Sequence, residues 1–374
     1  NTTADGNTAV GYSALKVSTT AAYNTAIGWK ALFDCTTGDA NTAVGESAGQ
    51  NITTGEYNVC IGNTSLFTNT TSSHNTALGY SSLYNATGEK NTSVGSNSLV
   101  ALTTGTNNCA LGYAALTAAT TSSHNVAIGY NSMAANTTGT RNTALGAFTL
   151  DSNTDQSNNT AIGYNALTAN TTGSVNTAVG TYSLDANTTG IRSVAVGYDA
   201  LTANTTGGQN VALGTYALAG NTTANNNVAI GYDCFSQANA ADGNVAIGAY
   251  ALKANTTASR NTVVGYSAGT ALTTGDRNVA VGYEALLTNT TANRCVAVGS
   301  GALRTFSLGA DDSVYSTAIG YQNSYSTTTG IRNTSVGGYG FYYNTTGSDN
   351  TTLGTSAMEA STTASRMVVI GKDA

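Results

Sequence analysis

The residues of this chain that could do chemistry come in ladders rather than in clusters. A Thr-Thr pair recurs in 17 of the 21 repeats long enough to hold it, as at Thr171-Thr172, Thr188-Thr189 and Thr205-Thr206. Regular threonine arrays on a flat solenoid can order water and bind ice, although adjacent residues do not share a strand face. The same segment forms acceptor sequons for N-glycosylation at Asn69, Asn136, Asn170, Asn187, Asn204, Asn221, Asn255, Asn289 and Asn344. Asparagine also suits such a turn through its own turn propensity and through stacked amide hydrogen bonds. Tyrosines in register could stack on sugar rings as a receptor-binding strip, or fill gaps between neighbouring repeats.

Conventional catalytic groups are scarce. A polysaccharide depolymerase would need two positioned carboxylates. The one adjacent acidic pair, Asp311-Asp312, falls in the longest repeat, where a tolerated four-residue loop insertion accounts for it. His74 and His124 each end a Ser-Ser-His stretch, 50 residues apart, without Cys or carboxylate at metal spacing. Cys35, Cys60, Cys109, Cys234 and Cys295 occupy five different places in the repeat, so no two can stack as a disulfide ladder needs. They read as small residues replacing Ala, Thr, Val or Asn. We expect no enzyme, no catalytic or metal site and no cofactor.

What must hold these ladders is one short repeat. Units open at Asn7, Asn24, Asn41, Asn58 and Asn75, at Asn91 and every seventeen residues to Cys295, then at Ser316, Asn333, Asn350 and Met367. Of the 21 intervals, nineteen are 17 residues, one is 16 and one is 21. The consensus is Asn-Thr/Val-Ala-Val/Ile/Leu-Gly-Tyr-x-Ala-Leu-x-x-Asn-Thr-Thr-Gly-x-x, its places numbered as positions 1 to 17. Positions 1 to 4 alternate, so positions 2 and 4 share one strand face and the small position 3 takes the other. Position 4 is aliphatic in all 22 units, from Val10 to Ile370, and the expectation is that this column is the core. Glycine always comes next, at Gly11, Gly28, Gly45, Gly163, Gly197 and on to Gly371. Such constancy predicts positive φ or a backbone approach that excludes a Cβ. A second short strand is expected at segments such as Tyr164-Asn165-Ala166-Leu167, and a turn at Asn-Thr-Thr-Gly.

These features imply an all-β fold class: a parallel β-solenoid, or β-roll, of 22 repeats of about 17 residues. At a strand spacing of about 4.8 Å, 22 rungs make a rod of roughly 100 Å, or half that if a rung takes two repeats. Aromatic residues hint at the longer rung, because Tyr130, Tyr164, Tyr198, Tyr232 and Tyr266 come directly after the glycine while Phe148, Tyr182, Tyr216 and Tyr250 sit one residue later. Staggering of bulky rings between 17-residue rungs is the reading we favour. The uniform repeat gives no place to divide residues 1–374, which are expected to be a single elongated domain. Both ends lie mid-pattern, so a segment of a longer fibre is expected.

Composition narrows the partners. Charged residues are 9%, and 13 basic against 19 acidic gives a net charge of −6, with no basic run to track a phosphate backbone. Nucleic acid is not an expected partner. No apolar run approaches the roughly 20 residues that span a bilayer, so membrane insertion is not expected. Few large side chains per repeat leave a thin core, so a second chain is expected to complete it. Alanines at positions 3 and 8, such as Ala9, Ala14, Ala26 and Ala31, would let chains approach closely as a parallel homotrimer.

Three motifs carry a resemblance. Asn227-Val228-Ala229-Ile230-Gly231, Asn244-Val245-Ala246-Ile247-Gly248 and Ser193-Val194-Ala195-Val196-Gly197 resemble the repeated motif in the head of trimeric autotransporter adhesins. That resemblance implies a left-handed parallel β-roll in which three chains associate. The full unit, with Tyr-x-Ala-Leu and Asn-Thr-Thr-Gly, looks still more like repeats in phage tail-fibre and bacterial fibre proteins, over essentially the whole chain. The functional expectation is a structural shaft of an extracellular or virion fibre, a tail fibre or surface adhesin supporting attachment. The alternative is a repetitive surface that binds cell-surface glycans or ice through its Tyr or Thr ladders.

Overall fold

The computed structural model describes residues 4–306 and 314–374. They fall into two compact units, Asn1–Thr189 and Gly190–Ala374, built alike. Each is a parallel β-solenoid without helix. The first holds eleven three-residue strands, from Thr8–Val10 to Thr177–Val179, and the second eleven more, from Val194–Val196 to Val368–Ile370. Within a unit every strand pairs in parallel with the next repeat in strict register, as in Thr25↔Thr42, Ala26↔Ala43 and Ile27↔Val44. One rung is therefore one 17-residue repeat.

Hydrogen bonding between rungs extends well beyond the strands. In the rung that opens at Asn24, Thr25, Leu32 and Asp34 donate N–H upward to Asn41, Ala48 and Gln50, while Gly28 and Lys30 donate downward to Val10 and Tyr12. The main-chain N–H groups of Thr36, Thr37 and Gly38 all converge on the carbonyl of Thr53, at 3.0, 3.2 and 3.2 Å. Nearly the whole circumference is thus ladder-bonded, which is how so short a repeat satisfies its backbone.

Two expectations need correction. The segment after the glycine is not a second strand: Asn165 and Leu167 take φ of 55° and 52°, and the same left-handed pair recurs in nearly every rung at positions 7 and 9. Two left-handed residues flanking one ordinary residue curl the chain back instead of extending it. Such residues cost about 1–2 kcal/mol each outside glycine. Here they aim N–H groups at neighbouring rungs, Asn165 at the Ala147 carbonyl (3.2 Å) and Leu167 at that of Ser183 (3.0 Å).

The second correction concerns the core. Position 3 faces inward and position 4 outward, the reverse of what the aliphatic column suggested. Ala26, Ala43, Ala127 and Ala161 are wholly buried, as are the position-8 and position-9 residues Ala31, Leu32, Ala166 and Leu167. Val10, Leu111, Leu145 and Leu353 stand 58, 47, 43 and 50% exposed. Space decides the matter: a typical rung already seats a large side chain at position 9, usually leucine, a buried asparagine at position 1 and, in about half the rungs, another at position 12, so little more than an alanine fits at position 3. Where position 9 is glycine, as at Gly49 and Gly269, position 12 becomes Ile52 or Leu272 and restores the volume. The alanines are therefore the interior of one chain rather than a contact between chains.

Candidate functional surface

Because the strand alternates, positions 2, 4 and 6 turn outward together and make one continuous face on each unit. Its centre is aliphatic. Positions 2 and 4 of successive rungs run Val126-Ile128, Thr143-Leu145, Thr160-Ile162 in the first unit and Val211-Leu213, Val228-Ile230, Val245-Ile247 in the second. None of these side chains carries charge. Cys109 takes position 2 in this stripe and is only half-buried.

An aromatic ladder borders the stripe. In the first unit Tyr113, Tyr130, Phe148, Tyr164 and Tyr182 touch in sequence; in the second Tyr198, Tyr216, Tyr232, Tyr250, Tyr266 and Tyr283 do. Rings at the same position on adjacent rungs stack, as Tyr266 and Tyr283 do at 5.7 Å and 8°. Rings that alternate between positions 6 and 7 meet edge to face, as Tyr198 and Tyr216 do at 5.7 Å and 89°. The staggered rings, closer to perpendicular, set a positive edge on a negative face.

Two buried amide ladders run inside. At position 1, the side-chain oxygen of Asn125 accepts the N–H of Asn142 (2.9 Å), and its amide nitrogen donates to the Gly139 carbonyl across the rung (2.9 Å). The pattern repeats along both units, for example at Asn41 and Asn244. At position 12, Asn170 donates to the Gly173 carbonyl (2.9 Å) and accepts from Asn187 (2.9 Å). Asn69, Asn136, Asn187, Asn204, Asn221, Asn255, Asn289 and Asn344 stand in the same column, and all nine sequon asparagines, Asn170 included, are fully buried. Their amides are occupied as turn-formers and are out of reach of a glycosylating enzyme in the folded chain.

The threonine pair divides its labour. The first hydroxyl donates to the backbone carbonyl one rung on, as Thr171 does to Thr188 (3.1 Å) and Thr205 to Thr222 (3.0 Å). The second threonine, as at Thr172, Thr189 and Thr206, lies toward solvent, leaving one outward rank per unit.

Glycine at position 5 meets both demands placed on it. Gly163 and Gly197 have φ of 130° and 136°, and a Cβ on either would lie 2.6 Å from the carbonyl of the next glycine in the column. Gly11, Gly28, Gly45 and Gly371 share the positive φ.

The cysteines behave as small buried residues at four of five places. Burial pushes the Cys35 thiol up to about 11 and those of Cys234 and Cys295 to about 12, and raises that of Cys60 as well. Ionic groups are sparse and pair between neighbouring rungs: Lys253 with Asp233, Arg304 with Glu284 and Arg332 with Asp349, each at 2.6 Å. The Arg304 hydrogen bond holds the Glu284 carboxyl below the usual range, and that of Arg332 does so for Asp349.

Among the described residues no group of His, Cys, Asp and Glu is placed to hold a metal ion, and no helix is long and apolar enough to cross a membrane. His74 stacks on Tyr57 at 5.1 Å. Asp311 and Asp312 lie outside the described residues. An open cavity of about 330 Å³ is lined by Tyr343, Met358, Glu359 and Asp373 at the last rung.

The inward asparagine of position 1 was missed by sequence reasoning, although a signal existed. It alternates in phase with position 3, so whichever way the alanine points the asparagine must point too. Comparison with protein-family models found no match, and comparison with curated proteins found none either.

Proposed function

We propose that this chain is a shaft segment of an extracellular or virion fibre, associating side by side and in register with copies of itself as a parallel trimer. The observation that carries this reading is the uncharged outward stripe, Val, Ile or Leu at position 4 beside usually Thr or Val at position 2, on a solenoid whose interior is already filled by its own residues. A solenoid of this kind offers a long regular surface in place of a pocket. Its stripe calls for a partner with the same rung pitch, and a second copy in register has that pitch by construction.

Magnitude supports the partner. If covering each half-exposed position-4 side chain contributes about 1 kcal/mol, eleven rungs of one unit supply on the order of 10 kcal/mol. That is comparable to the about 4–15 kcal/mol of freedom lost on association. Three narrow strand ridges close around an axis parallel to the stack, and each stripe is then covered on both flanks. The resemblance to adhesin-head and tail-fibre repeats points the same way, as does the low charge of the face.

Light scattering on the purified chain tests this directly. The expected mass is three times 37.6 kDa, with elongated particles in electron micrographs. Cys109 supplies an internal reporter: parallel, in-register copies bring their Cys109 residues together, so a short bismaleimide should yield covalent oligomers. A folded particle of one chain mass, with no cross-linked product, would overturn the proposal.

A further inference from the structure

We propose that the tyrosine ladder is a binding platform for a neutral linear polysaccharide of β-1,4-linked sugars. The first observation is a superperiod that the backbone does not need. The rung is 17 residues, yet from Tyr130 to Tyr266 aromatic placement repeats every 34, with rings directly after the glycine on alternate rungs; at either end Tyr113 and Tyr283 take that place on the adjoining rung. In the second unit the alternate-rung rings are Tyr198, Tyr232 and Tyr266, exposed by 44, 48 and 50%; Tyr216, one residue further along an intervening rung, is exposed by 37%. In the first unit Tyr130 and Tyr164 are the counterparts, at 49 and 45%.

The second observation is the polar residue next to each of these rings. Tyr130, Tyr164, Tyr198, Tyr232 and Tyr266 precede Asn131, Asn165, Asp199, Asp233 and Ser267. These half-buried polar side chains all lie at position 7, in left-handed backbone. The intervening rungs put Ala147, Thr181, Thr215 and Ala249 at position 6 and the ring at position 7. Each alternate rung thus offers a half-exposed ring for the C–H side of a sugar and, beside it, an acceptor for its hydroxyls.

Period and polarity select the ligand. Platform rings recur every two rungs, about 9.6 Å. In a β-1,4 polymer successive sugars are flipped, so the same face returns once per disaccharide, and one ring per two rungs meets one such face. A sugar's axial C–H bonds carry slight positive charge and suit the negative face of a ring. The acceptors match hydroxyl donors. Asp233 is paired to Lys253 (2.6 Å), so the middle of the second ladder is close to electrically neutral, which favours an uncharged polymer. This inference uses position 6, at the border of the face whose positions 2 and 4 are proposed to self-associate.

The test mixes the full chain with microcrystalline cellulose, and separately with chitin, and measures what remains in solution. Retention on at least one, unchanged in about 0.5 M salt because the contact is uncharged, is the expected result. Replacing Tyr198, Tyr232 and Tyr266 together with Ala should weaken retention at least about tenfold, whereas Tyr216→Ala with Tyr250→Ala should stay within about threefold. Should the triple variant not fold, titration of the unaltered chain with cellohexaose or chitohexaose, monitored by tyrosine fluorescence, reads the rings directly. No retention on either solid, equal retention by the triple variant, retention abolished by salt, or a flat fluorescence titration would each overturn the inference. The mass measurement judges the fibre reading separately, so failure of one is distinguishable from failure of the other.

Discussion

Gly163 and Gly180 occupy the same column one rung apart, and a Cβ on the first would lie 2.6 Å from both the carbonyl carbon and the carbonyl oxygen of the second. The obstacle is backbone, which cannot swing aside as a side chain can. Gly163 also has φ of 130°, a region closed to other residues at modest cost. Gly163→Val or Gly197→Val should therefore cost several kcal/mol, on the order of 3 or more. Thr171→Val removes one exposed hydroxyl whose acceptor, the Thr188 carbonyl, also receives the N–H groups of Thr171 and Thr172. Its cost should stay near about 0.5 kcal/mol. Equal, small shifts in Tm for all three variants would contradict the geometry.

Adjoining strand positions with opposite surroundings, position 3 inward and position 4 outward, give a second contrast. Ala127 is fully buried within one chain, and Leu111 and Leu145 are 47 and 43% exposed on the stripe. Ala127→Arg, or equally Ala161→Arg, puts an unpaired charge into a filled interior and should abolish folding even at high dilution, a loss of about 4 kcal/mol or more. Leu111→Lys with Leu145→Lys puts charge only on the outer face. The circular dichroism of that double variant should match the parent while its mass by light scattering falls to one chain. A folded chain that tolerates Ala127→Arg would contradict the inward placement of position 3.

The position-1 ladder has natural weak points. The N–H of Asn142 meets an asparagine oxygen at 2.9 Å, whereas that of Asn333 meets the shorter Ser316 hydroxyl at 3.3 Å. Ser316 also lacks the amide that, at Asn333, reaches across its rung to the Gly347 carbonyl at 2.8 Å. Ser316→Asn should supply both bonds and stabilise the chain by about 1 kcal/mol. Asn125→Ala should do the opposite, leaving the buried N–H of Asn142 unmet at about 1–3 kcal/mol and the Gly139 carbonyl with the Asn136 amide as its remaining donor. Thermal melts of the two variants check both signs.

How much of this was legible in the sequence depended on whether a position had one physical explanation or two. The spacing from Asn7 onward admits only a repeat, and the alternation of Thr25, Ala26 and Ile27 only a strand, so rung and parallel register were readable. The glycine column was also readable, because positive φ and backbone crowding both exclude a side chain. The direction of the strand was not. Ala26 and Ile27 lie on opposite faces in either orientation, and aliphatic bulk usually argues for burial. What overrode that rule was volume inside a 17-residue rung, where Leu32 and the buried amides already fill the space. The left-handed backbone at Asn165 and Leu167 was unreadable for a related reason, since leucine gives no local signal for a conformation imposed by bonds to the rungs on either side. Sequon asparagines such as Asn170 carried two readings, and the inward ladder, not the surface, is where the fold puts them.

Burial of the thiols makes the fold sensitive to alkali. Cys35, Cys60, Cys234 and Cys295 are buried, and desolvation raises each thiol above its ordinary value of 9.0, Cys35 to about 11 and Cys234 and Cys295 to about 12. An acid whose folded pKa is raised binds more protons folded than unfolded. Its stabilising effect is thus complete below about pH 9 and is lost as pH climbs toward the folded values. The midpoint of denaturant unfolding should therefore fall between about pH 9 and 12, and replacing Cys234 with Ala, the residue usual at position 8, should flatten that fall. Reactivity gives an independent check. At pH 8 a thiol-specific reagent should modify Cys109 of the dissociated, folded chain readily and the other four only after unfolding, because thiolate access controls the rate. Rapid modification of all five in the folded chain would mean that the interior is open to solvent, contrary to the full burial of Cys35, Cys60, Cys234 and Cys295.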